Sequence, residues 1–473
     1  MEWTPFVVLA FLLGMTGLGA WHARRVKTAE DFALAGRGLS GWVLSGTLVA
    51  TWIGTGSIFG NAEFTYNNGA IAFFLPISGA LGMLLLAFVA PRVRALPAAS
   101  VPEILGLKFG KPAQKLGALA LLGAYLIIVS YQYRAGAAIS ERLFPEFDLS
   151  FGSADNPQSA WPVVFAFFVI LYTALAGLVS VAWSDVVNGV VMSAGILLGL
   201  GYLWINWDPS TQPLPEDFLN ISHPAGGIGW VNILLPTFLL ILGDANLMQR
   251  FLAAKSPATA KRAAMATFVG LVVLETAIIG MAFLGRAMLP GDIANAGHVI
   301  VEVAFTILPA FIGILLASTV IAIIVSTADS FLLALSTTAS NDLGNGLTSP
   351  KKQRVLVLIF GLVGLGLAYS SDQFFSMALY AYTLYGVTIT PAMVCALLFP
   401  QVNRNAVVAG MGSGLGAAIL WKVALESNWI ASDGALAGVD AVLPALLVNL
   451  VVLIAVHATA KRDGAETEGT ALS

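Results

Sequence analysis

The chain has 473 residues, of which 58% are hydrophobic and only 10% charged, with a mean hydropathy of +0.85. Water-soluble domains carry roughly 25% charged residues, so the composition excludes a soluble globular protein and indicates an all-α polytopic membrane protein. A net charge of −3, a single cysteine (Cys395) and four scattered histidines exclude a disulfide framework and a thiolate metal site.

The first apolar run, Pro5 to Leu18, precedes the basic cluster His22-Ala23-Arg24-Arg25-Val26-Lys27. A secretory signal has the opposite order. A retained first helix with its N-terminus outside is therefore expected. Further apolar runs begin near Trp42, Ala70, Leu116, Trp161, Val186, Val231, Ala264, Ala304, Val355, Phe374, Ala406 and Val442. At roughly 20 residues each, they make about thirteen spans in one membrane domain. Residues 1–40 read as an extra helix and loop, 404–458 as two C-terminal helices, and 461–473 as a polar, irregular tail.

The basic residues test this topology. With the N-terminus outside, the cytoplasmic loops receive Arg24, Arg25, Lys27, Arg92, Arg94, Arg250, Lys255, Lys351, Lys352, Lys461 and Arg462, among others. Only Arg142, Arg286 and Lys422 fall near the outside, and Arg134 falls within a span. The alternate loops are acidic, with Glu141, Asp148, Asp155, Asp208 and Glu216. This asymmetry follows the positive-inside rule, and an odd span count puts the C-terminus in the cytoplasm of what reads as a bacterial cell membrane.

Two spans are interrupted. In the second, Thr51-Trp52-Ile53-Gly54-Thr55-Gly56-Ser57 places two glycines and three hydroxyls at mid-depth. In the seventh, Leu242-Gly243-Asp244-Ala245-Asn246 breaks an apolar run. Non-helical backbone at membrane depth is tolerated only where it lines a cavity. Two interrupted spans five apart suit a five-plus-five inverted repeat preceded by one extra helix, with halves at about 41–207 and 228–400.

The stretch Ser318 to Asp342 is apolar enough to span yet rich in hydroxyls. At 3.6 residues per turn Thr319, Ser326, Ser330 and Thr337 share one narrow face, flanked by Thr327 and Asp329. A carboxylate inside an apolar span normally faces a water-filled path or a partner. Oxygens gathered around it suit a small hard cation. Asp342, at the cytoplasmic end, is expected to be solvated.

In matching order, several fragments resemble the sodium:solute symporter family. They are Thr28 to Arg37, Ala50 to Gly56 with Asn61-Ala62-Glu63, Tyr172 to Leu178, Ala182-Trp183-Ser184-Asp185, Gln249 to Lys255, and Ser326-Thr327-Ala328-Asp329-Ser330. The resemblance implies a LeuT-type fold, alternating access and coupling to Na+, with a small-molecule solute and the lipid bilayer as partners and no nucleic acid. Whether the carrier is a monomer or a homo-oligomer stays open. The resemblance implies a sodium site on the carbonyls of Ala50, Ile53 and Ile323 and the hydroxyls of Ser326 and Thr327. A second cation is implied at Asp185, Asp329 and Ser330, where Asp329 replaces one of the family's hydroxyls.

For the solute, the reading takes Trp52, Thr55, Ser57, Tyr131, Arg134 and Asp244. Asp244 stands where the choline branch of the family has the partner tryptophan of its aromatic box, which argues against a quaternary ammonium. The resemblance sets Arg134 against a substrate carboxylate, which its guanidinium fits bidentately, and Asp244 could meet an ammonium group. An amino acid or another zwitterion is the solute this favours. A sugar or amine carrier is the alternative. An ion channel would show a filter repeat and a polytopic enzyme a catalytic constellation, and neither is visible.

Overall fold

The computed structural model describes all residues except 1–3, 24–26, 148, 154–155, 176–177, 223–225, 345–348, 370–373, 400, 431–435, 437 and 472–473. Arg24, Arg25, Asp148, Asp155, Ala176 and Gly177, singled out above, lie outside the described residues. All thirteen expected span starts fall on helical segments. Among the described residues, nine helices are long and apolar enough to cross a membrane. Lipid offers the backbone no hydrogen bonds, so each apolar run must satisfy its own N–H and C=O groups as a helix.

In chain order the helices are α1 (Thr4–Ala23), α2 (Gly41–Trp52), α3 (Ala62–Asn68), α4 (Leu75–Arg94), α5 (Val101–Phe109), α6 (Lys111–Leu143), α7 (Trp161–Leu175) and α8 (Leu178–Asn206). There follow α9 (Gly226–Gly243), α10 (Ala245–Ala253), α11 (Pro257–Met288), α12 (Ala310–Thr338), α13 (Pro350–Leu367), α14 (Phe374–Leu398), α15 (Arg404–Glu426) and α16 (Val442–Ala471). Short helical turns complete the links. One feature outside the helical reading is an antiparallel hairpin in the link between α6 and α7, Ser150–Ser153 against Asn156–Ser159. The last helix continues to Ala471, through most of the tail expected to be irregular.

Burial separates the core from the lipid-facing shell. In α12, 72% of the apolar window is buried inside the protein, against 22% in α16. The helix carrying the hydroxyl cluster is therefore enclosed on all sides, packed on α6 and α8. Exposed Phe88, Leu119, Phe167, Val190 and Ile454 face outward instead, as a bilayer requires.

Candidate functional site

The predicted breaks are real, and each is built locally. Helix α2 stops at Trp52 because Ile53 leaves the helical region, with φ −68° and ψ 88°. Its last helical bond runs from the Ile53 N–H to the Val49 carbonyl at 2.9 Å. The carbonyls from Ala50 to Ile53 thereby lose the N–H four residues on that a continuous helix would supply. A π-helical turn, Gly56–Asn61, then leads into α3.

The break lies against α12. A methyl group built on Gly54 would meet Thr327 Oγ1 at 3.1 Å, so a larger residue here would have to displace Thr327 slightly. Ala50, Ile53, Ile323, Ser326 and Thr327 are all buried here. Two hydroxyls at this junction, Thr51 Oγ1 and Thr327 Oγ1, are buried without a hydrogen-bond partner. Buried polar groups are rarely left unpaired. Free carbonyls beside orphan hydroxyl oxygens form a donor set for a hard cation.

The second break is closed by side chains. Asp244 (φ −54°, ψ 122°) caps α10, its Oδ1 accepting the Leu247 N–H at 2.8 Å. Its Oδ2 accepts from the Tyr125 hydroxyl at 2.9 Å, and the Tyr385 hydroxyl donates to the Gly243 carbonyl at 2.7 Å.

One cavity runs between the two breaks. Trp52, Thr55, Ser57, Tyr131 and Asp244 all line it, together with Thr51 and Thr327 from the α2–α12 junction. The expected solute residues and the orphan hydroxyls thus share one space. Gln132 adds a further wall; its Oε1 accepts from Thr55, while its buried Nε2 has no partner.

Arg134 is the exception. It does not line this cavity, and its Nη1 donates to the Ala368 carbonyl at 2.9 Å, tying α6 to the end of α13. Nor does Arg134 pair with Asp244, whose oxygens go to Leu247 and Tyr125. We expect Arg134→Ala to leave solute affinity unchanged and to lower the melting temperature of the purified carrier. A selective loss of affinity for carboxylate solutes would show that Arg134 does reach the solute.

Beneath the cavity lies a charged network that neither spacing nor composition revealed. Arg250, assigned by its sequence position to a cytoplasmic loop, is fully buried on α10. Its Nη2 pairs with Asp185 Oδ2 at 3.0 Å and donates to Ser330 Oγ at 2.9 Å. Its Nε donates to Thr47 Oγ1 at 2.8 Å, and that hydroxyl donates to Asp185 Oδ2 at 2.5 Å. The other Asp185 oxygen accepts from Ser326 Oγ at 2.5 Å. Ser330 Oγ in turn contacts Asp329 Oδ1 at 3.3 Å, and Asp329 Oδ2 has no partner. The place anticipated for a second cation thus already holds a guanidinium. Of the Asp185, Asp329 and Ser330 side-chain oxygens, Asp329 Oδ2 is the one with no hydrogen-bond partner among the described residues.

Asp342 also departs from expectation. It is buried rather than solvated, accepting from Ser100 Oγ at 2.7 Å, from Gln114 Nε2 at 2.9 Å and from Asn341 Nδ2 at 3.0 Å. Helix α5 folds back over the end of the long helix and covers it.

Comparison with known proteins places this architecture. The model of the sodium:solute symporter family matches residues 32–414. The chain belongs to the sodium:solute symporter family. Among relatives of this symporter, the sodium/proline symporter of Salmonella typhimurium is 24% identical over 461 residues, covering 90% of this chain and 89% of that protein. The sodium/proline symporter of Staphylococcus aureus is 21% identical over 500 residues, covering 99% and 95%. Among solved structures, a Na+-coupled sialic acid symporter superposes with a TM-score of 0.76 over 97% of each chain at 17% identity. The nucleobase-cation-symport-1 family transporter Mhp1 gives 0.61, covering 92% and 95% at 14% identity. The fold of this family member is accordingly the LeuT-type transporter fold, and it is a multi-pass membrane protein.

A last residue escaped sequence reasoning altogether. Glu275 on α11 is buried and lines the cavity, with Oε1 accepting from Ser57 Oγ at 2.6 Å and Oε2 from Asn61 Nδ2 at 3.0 Å. The rule that singled out Asp329, a carboxylate inside an apolar span, applies equally to Glu275 and would have found it.

Proposed function

We propose that this symporter imports a small polar organic solute, an amino acid or another zwitterion, together with Na+ by alternating access. Both are cargo. The observation that supports this reading most directly is the buried, partnerless hydroxyl of Thr327 in the wall of the cavity that Trp52 and Thr55 also line. In this reading the cation binds between the freed carbonyls of Ala50 and Ile53, the carbonyl of Ile323, and the hydroxyls of Ser326 and Thr327. The ion draws the α2 break onto α12 and so orders one wall of the solute cavity. Each ligand then favours the other, a coupling that is reciprocal by linkage.

The proline symporters among the relatives support an amino acid over a sugar. A carrier in the bacterial cytoplasmic membrane with its N-terminus outside and its C-terminus inside completes the reading, with residues 41–207 and 228–400 as the two halves that exchange access. Transport, with no chemical conversion of the solute, is the activity. The test is uptake into proteoliposomes of radiolabelled L-proline, and then of a panel of amino acids, sugars, organic acids and amines, under an inward Na+ gradient. Accumulation that collapses with the gradient is expected. Uptake indifferent to Na+, or a conductance without solute uptake, would overturn the proposal.

A further inference from the structure

We propose that Glu275 selects a cationic nitrogen in the solute, so that the carrier takes amines and zwitterionic amines and rejects nitrogen-free acids and sugars. The inference rests on the symport reading and adds the chemistry of recognition. Among the described residues lining the cavity, the only charged side chains are Asp244 and Glu275, and both are acidic. The two are not equivalent. Asp244 is committed to the fold, since one oxygen caps α10 and the other holds Tyr125. Glu275 caps no helix and accepts from side chains alone.

Its hydrogen bonds come from neutral donors, Ser57 and Asn61 on the far side of the α2 break and Trp52 at the end of α2. Among the described residues no basic side chain pairs with it. A carboxylate offers about four acceptor positions, so these three bonds leave it capacity for a further donor in the cavity it lines. A buried charge held only by neutral groups is costly unless an opposite charge joins it. An ammonium group on the solute supplies that charge and its N–H donors together. Ser57 and Asn61 both follow the break, so they fix the carboxylate to the segment that forms the proposed cation site. Gln132 Nε2, buried on another wall of the cavity and without an acceptor, is a matching donor for the carboxylate of a zwitterion.

The purified full-length carrier tests this by Na+-dependent thermal shift and by competition for uptake. The probes are matched by shape: L-proline against tetrahydrofuran-2-carboxylate, and L-alanine against propionate, with cyclopentylamine and galactose added. Every solute that binds is expected to carry a basic nitrogen. In Glu275→Gln, which keeps acceptor and size, affinity for such solutes is expected to fall at least tenfold while the half-saturating Na+ concentration stays put. Glu275→Asp keeps the charge and is expected to restore part of the affinity. The wild-type panel needs no variant to fold. A nitrogen-free probe that binds as well as its amine counterpart overturns the proposal. So does wild-type amine affinity in folded Glu275→Gln, or a panel in which no cationic solute binds. Amine binding without Na+ dependence would instead sink the symport reading and leave the role of Glu275 standing.

Discussion

Thr327→Val combined with Ser326→Ala is expected to raise the Na+ concentration for half-maximal uptake at least tenfold, which corresponds to about 1.4 kcal/mol of binding energy. The two hydroxyls differ in a way that sharpens the experiment. Thr327 Oγ1 has no partner among the described residues, so Thr327→Val removes no hydrogen bond seen there and replaces an orphan hydroxyl by an isosteric methyl. That single change should leave the ion-free carrier at least as stable as before, because an unsatisfied buried group costs more than an apolar one. Its Na+ affinity should nevertheless fall. Ser326 also donates to Asp185, so Ser326→Ala weakens the charged network as well as the cation site. Melting curves of each variant with and without Na+ separate these contributions. A double variant with wild-type Na+ dependence would remove Ser326 and Thr327 from the cation site.

The second large effect concerns Arg250. Its ion pair with Asp185 is almost wholly shielded, with side-chain exposures of 1% and 0%. Cutting one partner of such a pair leaves an uncompensated buried charge, at a cost of about 3–5 kcal/mol. Arg250→Met is expected to destabilise the carrier to that extent or to abolish its expression. Asp185→Asn added to Arg250→Met should recover much of the loss, since no unpaired charge then remains beside Thr47. Asp329 complicates the balance, because its carboxylate sits on the far side of Ser330 and also feels the guanidinium. Arg250→Met is therefore also expected to be relieved in part by Asp329→Asn. A double-mutant cycle on melting temperature in detergent measures both couplings. Strict additivity of Arg250→Met with Asp185→Asn would show that the pair contributes nothing as a pair.

The network also bears on coupling. Asp185 receives Ser326 from α12, Thr47 from α2 and Arg250 from α10. Those helices carry or adjoin the proposed cation residues and both chain breaks. By donating its proton to Asp185, Ser326 keeps its lone pairs available to an incoming ion. Asp185 thus orients a proposed cation ligand without itself having to touch the ion.

The sequence by itself determined what depends on neighbours along the chain. Span positions follow from the length of apolar runs. The two breaks follow from Gly54 and from Gly243 beside Asp244, where helical hydrogen bonding is weakest and a cap is at hand. The enclosed helix with Ser326, Thr327 and Asp329 follows from polar groups too numerous for a lipid-facing surface. What it could not determine is which side chain from another helix each polar group meets. Arg250 at the edge of a span looks the same whether it reaches the cytoplasmic surface or turns inward onto Asp185. Arg134 sits in a polar run, and only the packing of α6 on the end of α13 shows that it bonds Ala368 and does not line the cavity. Asp342 looked solvated until α5 was seen to fold over it. Burial of a charge is set by packing between elements distant in sequence, and no local pattern carries that information.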